Sequence, residues 1–307
     1  MLAIEVKDIH KYYGATKAVD GISLAVAAGE IFGMLGPNGA GKTTTTEIIE
    51  GLRRPDSGTV TVLGLDVVRN SKAIKTRIGI QLQTTALYPR LTVREVLDLF
   101  ATFFPEPRRT TDELIDMVNL REKERTLSKA LSGGQQQRLS VALALINQPE
   151  VVFFDEPTTG LDPQARRAMW DTIHDVRAGG ATVFMTTHYM EEAQTLCDRV
   201  AVVDAGKIIA LDTPDALIKI NFKETAIEFE LSGEMPAEGT FRQLPGVSGP
   251  AVREGKRVTM YTTDTTATLS GLTRLADSGA IHFDALSVRR ATLEDVFLKL
   301  TGKRIRE

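Results

Sequence analysis

The feature that most constrains this chain is a glycine-rich segment at residues 36–43, which reads GPNGAGKT. It follows five residues at 31–35 that are apolar or glycine and that predict a buried strand. Glycines allow a backbone to curl around an anion, and the first turn of a following helix offers free N–H groups and the positive end of the helix dipole. The segment therefore predicts a phosphate-binding loop, or P-loop, between a strand and a helix.

The residue types in this loop match the chemistry of a nucleoside triphosphate. Lys42 is expected to reach the β- and γ-phosphates, and the hydroxyl of Thr43 is expected to coordinate Mg²⁺. A chance glycine-rich turn is the alternative, but the strand before the loop and the helix after it are the context that a true P-loop requires. The residues predicted to bind the nucleotide here are Gly36, Asn38, Gly39, Ala40, Gly41, Lys42, Thr43 and Thr44.

Composition indicates a soluble enzyme of about two domains. The 307 residues are 42% hydrophobic and 25% charged, and the formal net charge of −3 lacks the basic excess that duplex nucleic acid selects. The longest apolar run, residues 141–146, is far shorter than a membrane span, and the N-terminus lacks the pattern of a signal peptide. The single cysteine, Cys197, excludes an internal disulfide. We therefore expect a cytoplasmic protein without a nucleic-acid partner.

The strand pattern predicts an α/β fold with an additional antiparallel layer. Segments 151–154 and 181–185 are strongly apolar, as parallel strands covered on both faces are. Segments 4–9, 22–26 and 59–63 have the pattern of strands that form an antiparallel β subdomain beside the core. Together they predict a P-loop NTPase core with an antiparallel β subdomain.

A helical insertion interrupts this core at about residues 87–149. Two helix starts within it carry capping boxes, in which a threonine and a glutamate three residues later satisfy each other's backbone N–H groups. The threonines are Thr92 and Thr110, and the glutamates are Glu95 and Glu113. The insertion therefore predicts at least two short helices.

Two adjacent carboxylates, Asp155 and Glu156, follow the apolar strand at 151–154. The carboxyl ends of buried strands are where α/β sheets place their ligands. Asp155 is expected to hold Mg²⁺ through its water shell, and Glu156 to polarise the water that attacks the γ-phosphate. The alternative is a solvated turn before Pro157, but the upstream P-loop favours the catalytic interpretation.

A second glycine-bearing element, LSGGQ, lies at residues 131–135. Ser132 and Gln135 have the spacing of a capping box, which explains these two residues but not the paired glycines between them. Paired glycines permit close approach of backbone N–H groups to a phosphate. With Gln136, Gln137 and Arg138 after it, the element resembles the signature motif of the ABC transporter ATPases.

This resemblance implies a site that two chains share. In the family, the signature helix points at the ATP held by the P-loop of the opposite subunit, so Ser132, Gly134 and Gln135 are expected to contact ATP in trans. One P-loop and one signature in this chain then imply a homodimer, or a dimer with a similar ATPase. ATP and Mg²⁺ are the implied substrate and cofactor.

The same resemblance assigns further residues around the nucleotide. Tyr13 matches the aromatic residue that stacks on adenine, with Tyr12 as a competing candidate. Gln83 matches the glutamine that contacts Mg²⁺ and the attacking water, with Gln81 nearby as the alternative.

Two residues beyond the acidic pair also match the family pattern. His188 follows the second apolar core strand and matches the histidine that contacts the γ-phosphate and positions the water. Asp162 matches the loop that meets the opposite subunit, although Asp162 and Pro163 also form an ordinary helix start. Both roles are compatible.

A small α+β domain is predicted at residues 222–307, after an ATPase domain at 1–215. Its predicted elements are a strand at 225–231, a hairpin of 251–253 with 257–262, a helix at 266–276, a strand at 281–288 and a helix at 292–300. Residues 291–302 resemble the ending of ATPases from drug- and lipid-exporting ABC systems, including the daunorubicin-exporter type. The sequence leaves open whether this domain regulates the dimer or only covers the core.

The resemblance as a whole implies the ATP-hydrolysing subunit of an exporter for a drug-like or lipid-like substrate. A separate integral membrane permease is then the partner, docked near Gln83 and the insertion, and it places the protein on the inner face of the cell membrane. A soluble ABC ATPase acting on ribosomes or nucleic acid is the alternative, and an importer ATPase is a third. Glu47, Glu50 and Ala291 depart from the common family pattern and leave the substrate subfamily open.

Overall fold

Two separately packed units make up the chain in the computed structural model, which describes residues 1–81, 87–104, 109–236 and 239–302. The first unit comprises Met1–Pro214, and the second begins at Asp215. Each has its own hydrophobic core. Within the described residues, no helix has both the length and the apolarity that crossing a bilayer requires.

An antiparallel sheet forms one layer of the first unit, as the sequence predicts. Its strands, in spatial order, are β2 (Thr16–Ala27), β1 (Leu2–Tyr13), β4 (Ser57–Val62) and β5 (Leu65–Asp66). Strands β1 and β2 form a long hairpin that turns at Gly14, whose positive φ of 59° suits glycine. The alternating side chains that face inward join the main core of the unit.

A six-stranded sheet forms the centre of the first unit. In spatial order it contains β10 (Lys207–Asp212), β9 (Arg199–Asp204), β3 (Ile31–Leu35), β8 (Thr182–Thr187), β7 (Val151–Asp155) and β6 (Ile78–Gln81). All neighbouring strands are parallel except the antiparallel pair β9–β10. The carboxyl ends of β3, β7 and β8 therefore meet at one edge, which is where this kind of sheet binds ligands.

Helices surround the central sheet and form the insertion. The helices of the α/β core are α1 (Lys42–Ile49), α2 (Ser71–Lys75), α6 (Pro163–Ala178) and α7 (Met190–Leu196). The insertion contributes α3 (Val93–Ala101), α4 (Thr111–Met117) and α5 (Gly133–Ala144). The capping boxes predicted at Thr92 and Thr110 are present at the starts of α3 and α4, so the two predicted helix starts are confirmed.

Within its described residues, the second unit contains a four-stranded antiparallel sheet and three helices. The strand order is β12 (Val252–Glu254), β13 (Arg257–Thr262), β11 (Thr225–Ser232) and β14 (His282–Arg290). The helices are α8 (Pro214–Asn221), α9 (Thr265–Asp277) and α10 (Leu293–Thr301). The strands, the hairpin and two of the helices lie within two residues of their predicted bounds, because turn residues and caps mark their ends clearly.

A buried ion pair connects the elements of the second unit. Asp295, at the start of α10, is fully buried and accepts hydrogen bonds from Arg289 at 2.6 and 3.0 Å, from the Tyr261 hydroxyl at 2.6 Å and from the Thr292 backbone at 2.7 Å. Arg289 also donates to Glu228 at 2.6 Å. Burial acts to raise the pKa of Asp295, but the hydrogen bonds from Arg289 and Tyr261 outweigh it and leave the pKa below the ordinary aspartate range.

We expect Asp295→Asn to lower the free energy of unfolding of the second unit by about 3 kcal/mol, because it removes the buried charge that the half-buried Arg289 pairs with. Urea unfolding followed by circular dichroism measures the loss. Asp284→Asn, an exposed change on the same strand as Arg289, is the matched control and should leave stability unchanged. Equal stability of the two variants would show that the pair does not hold the unit together.

Candidate functional site

The P-loop runs from the end of β3 into α1, as predicted. Its glycines are required for different structural reasons. A β-carbon at Gly36 would lie 2.2 Å from the Val203 carbonyl oxygen, and one at Gly41 would lie 2.2 Å from that of Ala18. These two glycines allow neighbouring backbones to pack against the loop. A β-carbon at Gly39 would meet no atom within 4 Å, and its φ is 81°. Gly39 therefore shapes the open side of the loop, which an anion can approach.

Lys42 connects the P-loop to the acidic strand end. Its side chain is 4% exposed, and its ammonium donates to the carbonyl oxygens of Gly36 at 2.7 Å and Pro37 at 3.2 Å and lies 3.4 Å from a carboxylate oxygen of Glu156. Burial lowers the pKa of Lys42, and the charge of Glu156 partly opposes this shift. A buried ammonium with only carbonyl and carboxylate partners is well suited to pair with phosphate oxygens.

Glu156 lies between Lys42 and His188. One carboxylate oxygen is near the lysine, and the other lies 3.2 Å from Nδ1 of His188. Burial acts to raise the pKa of Glu156, but the positive charge of Lys42 and the proximity of His188 outweigh it, so the pKa is lowered and the group stays ionised. The backbone of Glu156 has a left-handed φ of 48°, a strained value for a residue with a side chain.

Hydrogen bonds to the neighbouring strand β8 stabilise the strained backbone of Glu156. Its N–H donates to the carbonyl oxygen of Thr186 at 3.2 Å and lies 3.1 Å from the Thr186 hydroxyl, which in turn donates to Asp155 at 2.5 Å. Burial raises the pKa of Asp155, an effect that this hydrogen bond partly offsets. Thr186 therefore orients both members of the acidic pair. The sequence analysis missed Thr186, because nothing distinguishes it from other threonines in an apolar strand.

The side-chain oxygens of Asp155 and Thr43 are of the kind that a Mg²⁺ ion takes. Mg²⁺ in nucleotide sites usually takes one or two protein oxygens, several waters and phosphate oxygens. Asp155 offers a carboxylate at the strand end, and Thr43, at the start of α1, has an exposed side chain. Gln83, the third predicted Mg²⁺ contact and a predicted catalytic residue, lies outside the described residues.

A cavity of about 810 Å³ brings together half of the residues predicted to bind the nucleotide, and Glu156 with them. This volume is within the range of small-molecule sites. The predicted residues that line it are Tyr13, Asn38, Gly39, Gly41, Lys42, Thr43, Thr44 and Glu156. Residues 15–18 and Ala205 also line it, and sequence reasoning missed them because they form no motif.

Tyr13 and Tyr12 differ in their surroundings. Tyr13 lines the cavity, and the guanidinium of Arg53 lies 5.5 Å from the centre of its ring. The hydroxyl of Tyr12 instead lies 2.7 Å from Nδ1 of His10 and donates to Asp20 at 3.3 Å. The geometry therefore favours Tyr13 as the residue that stacks on a base.

The signature residues do not line this cavity. Ser132 caps α5 and forms the predicted capping box with Gln135, at 3.0 and 3.3 Å. A β-carbon at Gly134 would lie 3.1 Å from that of Ala165, so this glycine allows the start of α5 to pack on α6. Ser132 and Gly133 are exposed, and a β-carbon at Gly133 would meet no atom within 4 Å.

Asp162 has the helix-cap role that its sequence context predicts. Its carboxylate accepts the backbone N–H groups of Gln164 at 3.0 Å and Ala165 at 2.9 Å, and Pro163 occupies the first helical position of α6. Its side chain is exposed. The structure therefore places Ser132, Gly134, Gln135 and Asp162 outside the cavity that contains the P-loop.

Two family models match this sequence. One, described as ABC transporter, matches residues 19–159. The other, described as the C-terminal domain of the nodulation factor export protein NodI, matches residues 248–302.

Relatives match the chain over almost its whole length. It is 41% identical to the daunorubicin resistance ATP-binding protein DrrA3 of Streptomyces coeruleorubidus, with 99% of this chain and 98% of the relative covered. It is 39% identical to the Nod factor export ATP-binding protein I of Paraburkholderia xenovorans strain LB400, with 99% of both chains covered.

Solved structures confirm the predicted fold. A structure of the ATP binding subunit of an ABC transporter has a TM-score of 0.64 at 27% identity and covers 71% of this chain and 93% of its own. A dimeric structure of a bacterial ABC transporter cassette has a TM-score of 0.62 at 26% identity, with 68% and 98% covered. The predicted P-loop NTPase core is therefore confirmed.

We expect Tyr13→Ala to weaken ADP binding by about 10-fold or more, because stacking of a base on an aromatic ring contributes about 1–3 kcal/mol. Tyr12→Ala is the matched control and should leave the affinity unchanged. Isothermal titration calorimetry with ADP, which is not hydrolysed, gives both dissociation constants. The opposite ranking would assign the adenine contact to Tyr12.

Proposed function

The chain belongs to the ATP-binding proteins of ABC transporters, and we propose that it hydrolyses ATP to drive export of a drug-like or lipid-like molecule through a separate membrane permease. The observation that carries the catalytic part is the buried cluster of Lys42, Glu156 and His188 beside the P-loop. Export is supported by relatives named for daunorubicin resistance and Nod factor export that align with both units of the chain. These relatives favour export over an action on ribosomes or nucleic acid.

The cluster can perform the hydrolytic step with few groups. Lys42 and the P-loop amides stabilise the charge that develops on the γ-phosphate. The ionised carboxylate of Glu156 accepts a hydrogen bond from the attacking water and receives its proton, while His188 holds that water in line with the phosphate. Asp155 and Thr43, with Gln83 as the third expected contact, would hold Mg²⁺, which would further neutralise phosphate charge when bound.

Efficient hydrolysis in this proposal requires two chains. The signature residues Ser132, Gly134 and Gln135 lie outside the P-loop cavity of their own chain, and Ser132 and Gly133 are exposed and accessible to a partner. We therefore assign them, with the exposed Asp162, to the ATP bound by the opposite subunit. A homodimer, or a dimer with a similar ATPase, completes both sites.

An exposed aromatic patch on the insertion is suited to contact the permease. The patch consists of Tyr88, Phe100 and Phe103, whose rings pack at centroid distances of 6.4 and 5.4 Å. Tyr88 is 50% exposed and Phe103 is 64% exposed, which is unusual for aromatic residues on a protein that acts alone. An amphipathic cytoplasmic helix of the permease can bury them and thereby hold the protein at the inner face of the membrane.

We expect Glu156→Gln to lower kcat for ATP by about 10²- to 10⁴-fold, because it removes a general base, while the groups that bind ATP remain. The variant should accumulate as a dimer with ATP, as measured by size-exclusion chromatography with light scattering. Glu191→Gln, an exposed change at the start of α7, is the control and should behave as wild type. Wild-type turnover by Glu156→Gln would remove Glu156 from the role of base.

The function itself is tested by crosslinking the ATP-bound Glu156→Gln protein in native membranes and identifying its partners by mass spectrometry. We expect a polytopic membrane protein, and we expect Phe103→Ser in the same background to reduce its recovery at least about 10-fold, because an anchor residue of an interface is lost. The control is Val68→Ser, which also replaces an exposed apolar side chain of the same unit by serine and should leave the recovery unchanged. Val68 is 45% exposed. Recovery of ribosomal or DNA-repair proteins instead would overturn the export proposal but not the ATPase chemistry.

A further inference from the structure

The ring of His188 has an incomplete set of hydrogen bonds. Its Nδ1 is buried and 3.2 Å from Glu156, yet no hydrogen bond with good alignment reaches this atom within the described part of the chain. A single contact of this kind fixes the distance between the two groups but not the plane of the imidazole. Another contact must set the ring plane if His188 is to hold a water in line with a phosphate.

Aromatic packing supplies that contact. The ring of Tyr189 lies against the imidazole with a centroid distance of 4.1 Å and an interplanar angle of 39°. On Tyr189 lies the guanidinium of Arg166, with its central carbon 4.4 Å from the ring centre. Three planar groups, a guanidinium, a phenol and an imidazole, therefore follow one another and lead to Glu156. Such cation–π and ring contacts favour a restricted set of relative orientations.

The backbone of Arg166 is held in helix α6. It belongs to the first turn of α6, where its N–H donates to the Asp162 carbonyl oxygen at 2.9 Å. The carboxyl of Glu192 is completely buried. Burial raises the pKa of Glu192, and the side chains of Thr187, Thr158 and Trp170, together with the charge of Arg166, oppose that shift. The guanidinium of Arg166 therefore packs on Tyr189 from a backbone position that the helix fixes.

We infer that Tyr189 is a positioning residue for ATP hydrolysis, which sets the plane of the His188 imidazole through a ring that Arg166 also packs against. The inference rests on the proposed hydrolytic role of His188. The hydroxyl of Tyr189 takes no part in it, since the ring alone makes both contacts. The function depends on the flat face of residue 189, and an aliphatic side chain of similar volume cannot replace it.

The test compares Tyr189→Leu with Tyr189→Phe in the full-length protein. We expect Tyr189→Leu to lower kcat for ATP about 10-fold, with the KM for ATP changed by less than about threefold, because a misplaced catalytic group slows the reaction while the P-loop still binds the nucleotide. Tyr189→Phe keeps the ring and should retain the wild-type kcat. Equal loss in both variants, or a rise in KM without a change in kcat, would overturn the inference.

A double-mutant cycle separates positioning from a general structural effect. In single-turnover measurements, Tyr189→Leu should cause no further loss when His188→Ala is already present, because the group that it positions is gone. The same loss in both backgrounds would show that Tyr189 acts independently of His188.

Wild-type protein in the same assay separates the proposed ATPase activity from the inference about Tyr189. No hydrolysis by it refutes the proposed ATPase activity and the inference with it, whereas normal hydrolysis with a fully active Tyr189→Leu refutes the inference alone.

Discussion

The buried pair of Lys42 and Glu156 is the interaction on which the rest of the site depends. It joins the start of α1 to the residue after β7, and it places one positive and one negative charge where both are almost excluded from water. Each charge is tolerable there only because the other is present, supported by the loop carbonyl oxygens and by His188. The pair therefore holds the P-loop and the acidic strand end in one geometry while leaving Lys42 able to bind phosphate.

The sequence predicted the parts of the fold whose causes are local. The P-loop follows a buried strand and opens a helix, the capping boxes begin α3 and α4, and the elements of the second unit lie near their predicted bounds. Strands β6, β9 and β10 were not predicted. β6 has only four residues, and its Gly79 is required by the Ala144 carbonyl oxygen, which a β-carbon would approach to 2.0 Å, a contact between residues distant in sequence. β10 is an edge strand without a fully buried residue, so its apolar signal is weak. β9 contains four buried apolar residues at 200–203, and the sequence analysis overlooked them.

For the site, sequence motifs identified residue types, whereas orientations required coordinates. Tyr12 and Tyr13 are adjacent and similarly exposed, so only the hydroxyl contacts of Tyr12 and the position of Tyr13 at the cavity separate them. The left-handed backbone of Glu156 depends on the hydrogen bonds that its N–H donates to Thr186 on a neighbouring strand. Arg166 and Tyr189 are 23 positions apart in the sequence and share no motif. Their stacking therefore follows from the packing of α6 against the end of β8.

The division of the site between two surfaces of one chain explains how ATP can act as a reversible link in the proposed dimer. The P-loop cavity leaves the outer side of Gly39 open, and the start of α5 presents Gly133 without side-chain cover. In the proposed dimer, a phosphate bound at the first surface would gain further N–H donors from the second chain, so ATP would stabilise the dimer by the difference between its affinities for the dimer and the monomer. Loss of the γ-phosphate removes the group that both surfaces share, and the stabilisation of the dimer falls accordingly. Because the aromatic patch that is proposed to bind the permease belongs to the same unit as both surfaces, closing and opening of the dimer would move the permease contacts with it.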